Sequence, residues 1–247
     1  MRTTGNTILI TGGGSGIGEA LAHRLHDLGN TVIIAGRRAE ALQASVGSRA
    51  NIIPMQLDIT DPAAIKAFAR QVTTQHPSLN VLINNAGIMR AEKVDAPRDL
   101  TDAEEIVTTN LLGPIRLTDA LVDHLSRQPD AVIINNTSGL AFVPLVATPT
   151  YCATKAAMHS YTVSLRQALK GKVEVLELAP PAVQTKLTPG QETRAGYQPL
   201  TEFADEILSL LTQQPTPEEV LVQRVGFLRF AEKENRFAQT FATLNGL

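Results

Sequence analysis

Short runs of consecutive apolar and β-branched residues alternate along the chain with longer segments whose apolar positions recur every three or four residues. The runs fall at Thr7–Ile10, Thr31–Ala35, Ile52–Leu57, Val81–Asn84, Ala131–Asn135, Val173–Leu178 and Val220–Val225. Most are continuous rather than alternating, as in strands covered on both faces. Helical periodicity predicts helices over Gly16–Leu28, Ala39–Val46, Pro62–Gln75, Leu100–Arg127, Thr150–Leu169 and Leu200–Thr212, with a last one over 228–244. Asp61 before Pro62 reads as an N-cap with proline at the first helical position, and Gly29 reads as a helix stop. The alternation predicts an α/β fold: one domain over residues 1–247, built on a doubly wound parallel sheet of seven strands flanked by helices. Pro54 lies inside the third run and cannot donate to a ladder, so that strand belongs at a sheet edge.

Composition narrows the picture. An apolar share of 43% supports a sizeable core, and the net charge of −2 argues against a nucleic-acid or anionic-membrane partner. The lone Cys152 excludes an internal disulfide and a cysteine-built zinc site. No His, Asp and Glu fall at metal-ligand spacing. The apolar run Ile8–Ile10 is too short for a signal-peptide core, and the stretch from Gly139 to Pro149 is too short to span a membrane. The expectation is a soluble cytoplasmic protein.

Thr11-Gly12-Gly13-Gly14-Ser15-Gly16-Ile17-Gly18 joins the first strand to the first helix. Glycines there permit a tight turn and close approach of a pyrophosphate, which the helix N-terminus attracts. The string is T-G-x-x-x-G-x-G rather than G-x-G-x-x-G, so its place in a β-α-β unit matters more than its letters. In Rossmann-type sheets of order 3-2-1-4-5-6 the third strand is the edge, in agreement with Pro54. An acidic residue often follows the second strand to hold the NAD ribose. Here that strand ends Gly36-Arg37-Arg38, which reads either as a binder of the NADP 2′-phosphate or as a solvated pair opening a helix. The first reading favours NADP(H), with NAD(H) possible.

Tyr151 and Lys155 stand at i, i+4 and share a helix face. A free phenol titrates near about 10, but an ammonium about 4 Å away at an effective dielectric of about 20 contributes up to about 4 kcal/mol, enough to bring it toward neutrality. Ser138 lies just past the fifth strand and Asn84-Asn85-Ala86-Gly87 ends the fourth, both at the carboxyl edge where open α/β sheets bind ligands. Asn110 sits mid-helix, where a short amide needs a task.

The set Thr11–Gly18, Asp58, Asn84–Gly87, Asn110, Ser138, Tyr151 and Lys155 resembles the short-chain dehydrogenase/reductase family, and within it the DltE-like bacterial oxidoreductases. The resemblance implies an oxidoreductase that moves hydride between nicotinamide and a ketone, aldehyde or alcohol, with Asn110, Ser138, Tyr151 and Lys155 as a catalytic tetrad. Tyr151 would exchange the proton, Ser138 would hold the substrate oxygen, Lys155 would bond the nicotinamide ribose, and Asn110 would position a water. Asp58 and Ile59 would border the adenine, with Asn85, Ala86 and Gly87 alongside. Pro180, Val183 and Thr185 would meet the nicotinamide, and a homodimer or homotetramer is implied.

Pro181 stands where the family usually has glycine, and the chain's last strand lacks the usual glycines. Phe142, Val143, Leu145, Pro181 and Leu187 are candidate pocket walls for a hydrophobic substrate, and residues 186–200 read as a mobile lid. Phe230, Phe237, Phe241 and Leu244 recur at helical spacing, either packing on their own domain or meeting a partner subunit. Gly113-Pro114 should bend the helix that carries Asn110. Two rival readings are a non-catalytic dinucleotide-binding sensor or scaffold, which has no need of the tyrosine, and a sugar-nucleotide epimerase, which needs a larger C-terminal lobe.

Overall fold

The computed structural model describes residues 1–247. Seven parallel strands, β1 (Thr7–Thr11), β2 (Thr31–Gly36), β3 (Ile52–Gln56), β4 (Leu79–Asn84), β5 (Val132–Asn136), β6 (Glu174–Leu178) and β7 (Glu219–Val220), form one sheet in the order β3-β2-β1-β4-β5-β6-β7. Pro54 indeed lies in the edge strand, opposite Ile34 of β2. Period-two alternation divides the core. Ile8, Ile10, Ile34, Ile83 and Ile134 face Leu21 and Leu25 of α1 (Gly16–Asp27) and Phe203 and Ile207 of α7 (Leu200–Leu211). Leu9, Ile33, Leu82 and Ile133 face the opposite way, toward α3 (Pro62–Gln75) and α5 (Gly113–Leu125). The fold is the doubly wound sheet expected from the apolar runs.

Local signals act as their chemistry requires. Asp61 accepts from the amides of Ala63 at 2.7 Å and Ala64 at 3.2 Å and caps α3. The remaining helices are α2 (Ala39–Val46), α4 (Thr101–Val107), α6 (Pro149–Ala168), α8 (Gly226–Arg229) and α9 (Phe237–Asn245). No helix is long and apolar enough to cross a membrane.

Three expectations are corrected. The helix expected over Leu100–Arg127 is interrupted: α4 passes into a π-helical turn, Thr108–Leu112, before α5 begins. Pro114 has no N–H for the Asn110 carbonyl, and the Gly113 amide reaches back to the Thr108 carbonyl instead, which widens the turn. The run Val220–Val225 pairs only through Val220, because its partner β6 continues into Pro180-Pro181, which cannot sustain a ladder. The single helix expected over 228–244 is two helices, α8 and α9, separated by a turn with Asn235 at positive φ. Phe241 and Leu244 pack against Val143, Leu228 and Ala231 of their own domain, while Phe237 stacks on Phe241 and stays 41% exposed.

The end of the π turn is held against the turn that follows β3 by a close approach. A Cβ on Gly113 would stand 2.7 Å from Ile59 Cγ1 and 2.9 Å from the Ile59 carbonyl oxygen. Gly113→Ala is expected to destabilise the fold by about 1–3 kcal/mol through overpacking, read as a lower midpoint of urea unfolding. An unchanged midpoint would show that the two segments separate freely.

Candidate active site

A cavity of about 470 Å³ opens at the carboxyl edge of the sheet, above β1, β2, β4 and β5. Its floor begins with the glycine loop. Gly12 turns at φ +67° with its α-carbon side against Ala86, and a Cβ on Gly18 would fall 2.4 Å from the Gly12 carbonyl oxygen. Gly18 therefore lines no part of the cavity; it lets α1 press onto the loop. Gly12, Gly14, Ser15, Gly16 and Ile17 do face the cavity. Ser15 stands at the N-cap of α1 without a side-chain cap bond, which leaves first-turn amides available to an anion.

Arg37 and Arg38 border the same cavity at the end of β2. The Arg37 guanidinium is 53% exposed and lies 3.8 Å from Glu105, which Arg90 holds more closely, at 2.5 Å. Arg37 is thus nearly free for another anion. Leu57 and Ile59 form the adjoining wall. Asp58 does not join them: its carboxylate accepts from the Thr60 amide at 2.9 Å and hydroxyl at 2.7 Å, and these bonds hold its pKa below the usual carboxylate range.

A chain of hydrogen bonds crosses the strand ends beneath the cavity. Asn85 Nδ2 donates to the Thr11 carbonyl at 2.9 Å, Asn136 Nδ2 donates to Asn85 Oδ1 at 2.8 Å, and Lys155 Nζ donates to the Asn136 carbonyl at 2.7 Å. Thr11 Oγ1 also accepts from the amides of Asn85 and Ala86. The glycine loop and Lys155 are in this way parts of one rigid network. Asn136 was not singled out from sequence; the repeated Ile-Asn-Asn at Ile83 and Ile134 is the signal that marks the ends of β4 and β5.

Tyr151, Lys155 and Ser138 meet at the far end of the cavity. Burial pushes the Tyr151 phenol up to about 12, and the neighbouring Ser138 hydroxyl draws it partly back. Burial pulls the Lys155 ammonium down to about 8. This corrects the sequence expectation that the ammonium brings the phenol toward neutrality. Lys155 Nζ lies 5.6 Å from the centre of the tyrosine ring and is turned toward the Asn136 carbonyl, so desolvation outweighs the attraction. Ser138 Oγ accepts the Leu140 amide at 3.1 Å.

Asn110 lies behind this wall in the π turn. Its side chain is paired twice with the Ile88 backbone, accepting from N and donating to O at 2.8 Å each, and Nδ2 stands 3.4 Å from Thr154 Oγ1. Its neighbour Thr109 borders the cavity instead. Thr109 Oγ1 and Asn136 Oδ1 are buried without a partner.

The family profile described as short chain dehydrogenase matches residues 6–195. The chain is a short-chain dehydrogenase/reductase. It is 39% identical over 254 residues to the oxidoreductase DltE of Bacillus subtilis, across 99% of this chain and 98% of that protein. It is 29% identical to the NADP-dependent 3-hydroxy acid dehydrogenase of Schizosaccharomyces pombe, over 86% of this chain and 89% of that one. A short chain dehydrogenase from Burkholderia cenocepacia in complex with NADP superposes with a TM-score of 0.85 at 26% identity, covering 99% of each chain.

As a DltE-like short-chain dehydrogenase/reductase, the chain brings most of its sequence-predicted residues together. Asn85, Ala86, Gly87, Pro180, Pro181, Thr185 and Leu187 all border the cavity. Three do not. Val183 is buried in the core, and Val143 packs behind with Leu228. Phe142 is not a pocket wall: its ring meets His159 edge-on at 5.0 Å and lies under Arg229 at 4.6 Å. Leu145 packs near Tyr151 and Cys152, outside the cavity lining. Met89 borders the cavity without having been expected there, and Lys186, at the start of the expected lid segment, borders it too. The 186–200 segment is tied down by Gln191, whose Nε2 donates to the Val183 carbonyl at 2.8 Å and to Thr185 Oγ1 at 3.1 Å.

The Lys155 shift has a defined sign in stability. Its pKa is lowered on folding from 10.5 to about 8, so between those values the unfolded chain holds more protons and stability rises with pH. The difference in unfolding free energy between wild type and Lys155→Met is therefore expected to change by about 3 kcal/mol in favour of wild type as pH rises from about 8 to about 10.5. Parallel stability curves for the two proteins would mean that the ammonium is not desolvated.

Proposed function

We propose that this short-chain dehydrogenase/reductase is an NAD(P)(H)-dependent carbonyl reductase or alcohol dehydrogenase acting on a hydrophobic ketone or aldehyde, with NADP(H) preferred and NAD(H) accepted less well. The observation that carries this reading is that Ser138, Tyr151 and Lys155 border the same cavity as the glycine loop, with no other chemistry-bearing cluster on its walls. The cavity also suits the cofactor. The uncapped first turn of α1 offers amides to a pyrophosphate, Thr109 Oγ1 and Asn136 Oδ1 are buried polar atoms in want of partners, and Arg37 and Arg38 stand where a 2′-phosphate would need cations.

In this reading the bound nicotinamide supplies or accepts the hydride. Gly12, Gly14, Ser15, Gly16 and Ile17 would hold the pyrophosphate, and Arg37 with Arg38 would hold the 2′-phosphate. Thr185 and Pro180 orient the nicotinamide end. Ser138 Oγ donates to the substrate oxygen and fixes its position beside Tyr151 Oη. A phenol held near 12 stays protonated at neutral pH and is a ready donor to an oxygen becoming an alkoxide. Lys155 is the nearest cation and stabilises the phenolate left on Tyr151. Met89, Pro181 and Leu187 give the substrate end its apolar character. The whole of residues 1–247 serves as one binding and catalytic unit in the cytoplasm, assembled as a homodimer or homotetramer.

Purified protein is expected to oxidise NADPH with at least one member of a panel of hydrophobic ketones and aldehydes, followed by loss of nicotinamide absorbance. Tyr151→Phe should lower kcat by about 10²–10⁴-fold while NADPH still binds; a variant of undiminished rate would remove the phenol from the reaction. Arg37→Ala should weaken NADPH by about 10-fold or more, as the loss of a charged hydrogen bond implies, and barely affect NADH. Equal losses for the two cofactors, in fluorescence titration, would defeat the 2′-phosphate assignment.

A further inference from the structure

One register line across the sheet is polar where the line before it, through Ile83, Ile134 and Leu176, is apolar. Asn84 of β4 stands opposite Asn135 of β5, Asn135 opposite Glu177 of β6, and Glu177 opposite Glu219 of β7. Asn84 Nδ2 donates to Asn135 Oδ1 and to Thr118 Oγ1, and Asn135 Nδ2 donates to Thr162 Oγ1, while Asn84 Oδ1 is buried without a partner. Glu177 is different, because a carboxylate only 1% exposed is costly to bury without firm partners. It has two. One oxygen accepts from Thr137 Oγ1 at 2.7 Å, and the other pairs with His159 Nδ1 at 2.7 Å.

Those partners belong to the two halves of the site. Thr137 immediately precedes Ser138, and its amide also donates to the Leu178 carbonyl at 2.8 Å. His159 lies on α6, one turn beyond Lys155 and two beyond Tyr151, on the same helix face. We propose that Glu177 is a positioning residue: its single rigid carboxylate, bonded to Thr137 on one side and His159 on the other, sets the placement of Ser138 relative to Tyr151. The inference rests on the reading of those two side chains given above and adds the element that aligns them.

The surroundings support a fixed anchor. Arg229 donates to both oxygens of Glu219, at 2.6 and 2.8 Å, and also feels the Glu177 charge. The same guanidinium lies over the Phe142 ring, which makes a T-shaped contact with His159. Residues 137 to 142 are therefore held at both ends, by Glu177 at Thr137 and by Arg229 and His159 at Phe142. An isolated strand-end loop would have no such restraint.

The test uses the full chain, with amide hydrogen exchange read beside turnover. Thr137→Val keeps the side-chain shape and deletes one bond; Glu177→Leu deletes both. Each is expected to speed exchange in residues 139–142 and to lower kcat, both by about 10-fold or more, while KM and the NADPH Kd stay within about twofold. Thr137→Ser keeps the hydroxyl, and Glu177→Gln keeps both contacts with His159 in its other tautomer; both should behave nearly as wild type. The proposal is overturned if Thr137→Val leaves exchange or kcat unchanged, or if the conservative pair loses as much as the disruptive pair. Should wild type reduce no carbonyl compound, the reaction assigned above falls, and exchange in 139–142 still decides whether Glu177 restrains the Ser138 segment.

Discussion

The ammonium of Lys155, buried without a carboxylate beside it, is the constraint that shapes the cavity floor. A charge in that position needs dipoles, and the Asn136 carbonyl supplies the one it touches. That carbonyl is aimed correctly only because Asn136 is itself bonded to Asn85, and Asn85 to the Thr11 carbonyl. The strand ends of β1, β4 and β5 are thereby locked into one polar platform. Displacing any member would leave a buried donor or acceptor without a partner, which costs more than an average hydrogen bond gains.

The same economy explains why the neighbouring segments depart from regular geometry. Asn110 can pair with both backbone groups of Ile88 because α4 widens into a π turn at that point, and Pro114 is the residue that forces the widening. Gly113 has no Cβ, so the widened turn can lie directly against Ile59, beside the cavity. Irregular backbone, close packing and the position of a buried amide are here one structural fact. On the other side of Tyr151 the polar register line through Glu177 gives the Ser138 segment a comparable backing.

Short-chain dehydrogenase/reductase membership and the doubly wound sheet were legible from periodicity and motif spacing. Strands covered on both faces must be continuously apolar, and a proline in the third of them marked the edge. The convergence of Ser138, Tyr151 and Lys155 was legible for the same reason: residues at the carboxyl ends of parallel strands and on the first turns of the following helices have nowhere else to go. Where expectation failed, the cause was non-local. Phe142 looked like a pocket wall until Arg229, far along the chain, covered its ring. Val220–Val225 looked like a full strand until its neighbour ended in prolines.

Apolar periodicity and the spacing of a few polar residues thus determine the architecture and the reaction class, since both depend on which residues occupy which ends of which elements. Tertiary structure alone decides the proton affinities and the supports. The i, i+4 spacing brings an amine near a phenol, but whether attraction or desolvation prevails depends on burial, and here burial raises one group and lowers the other. Glu177 carries no motif at all. Its role follows from register across three strands and one helix, a relation between distant residues that no local pattern encodes.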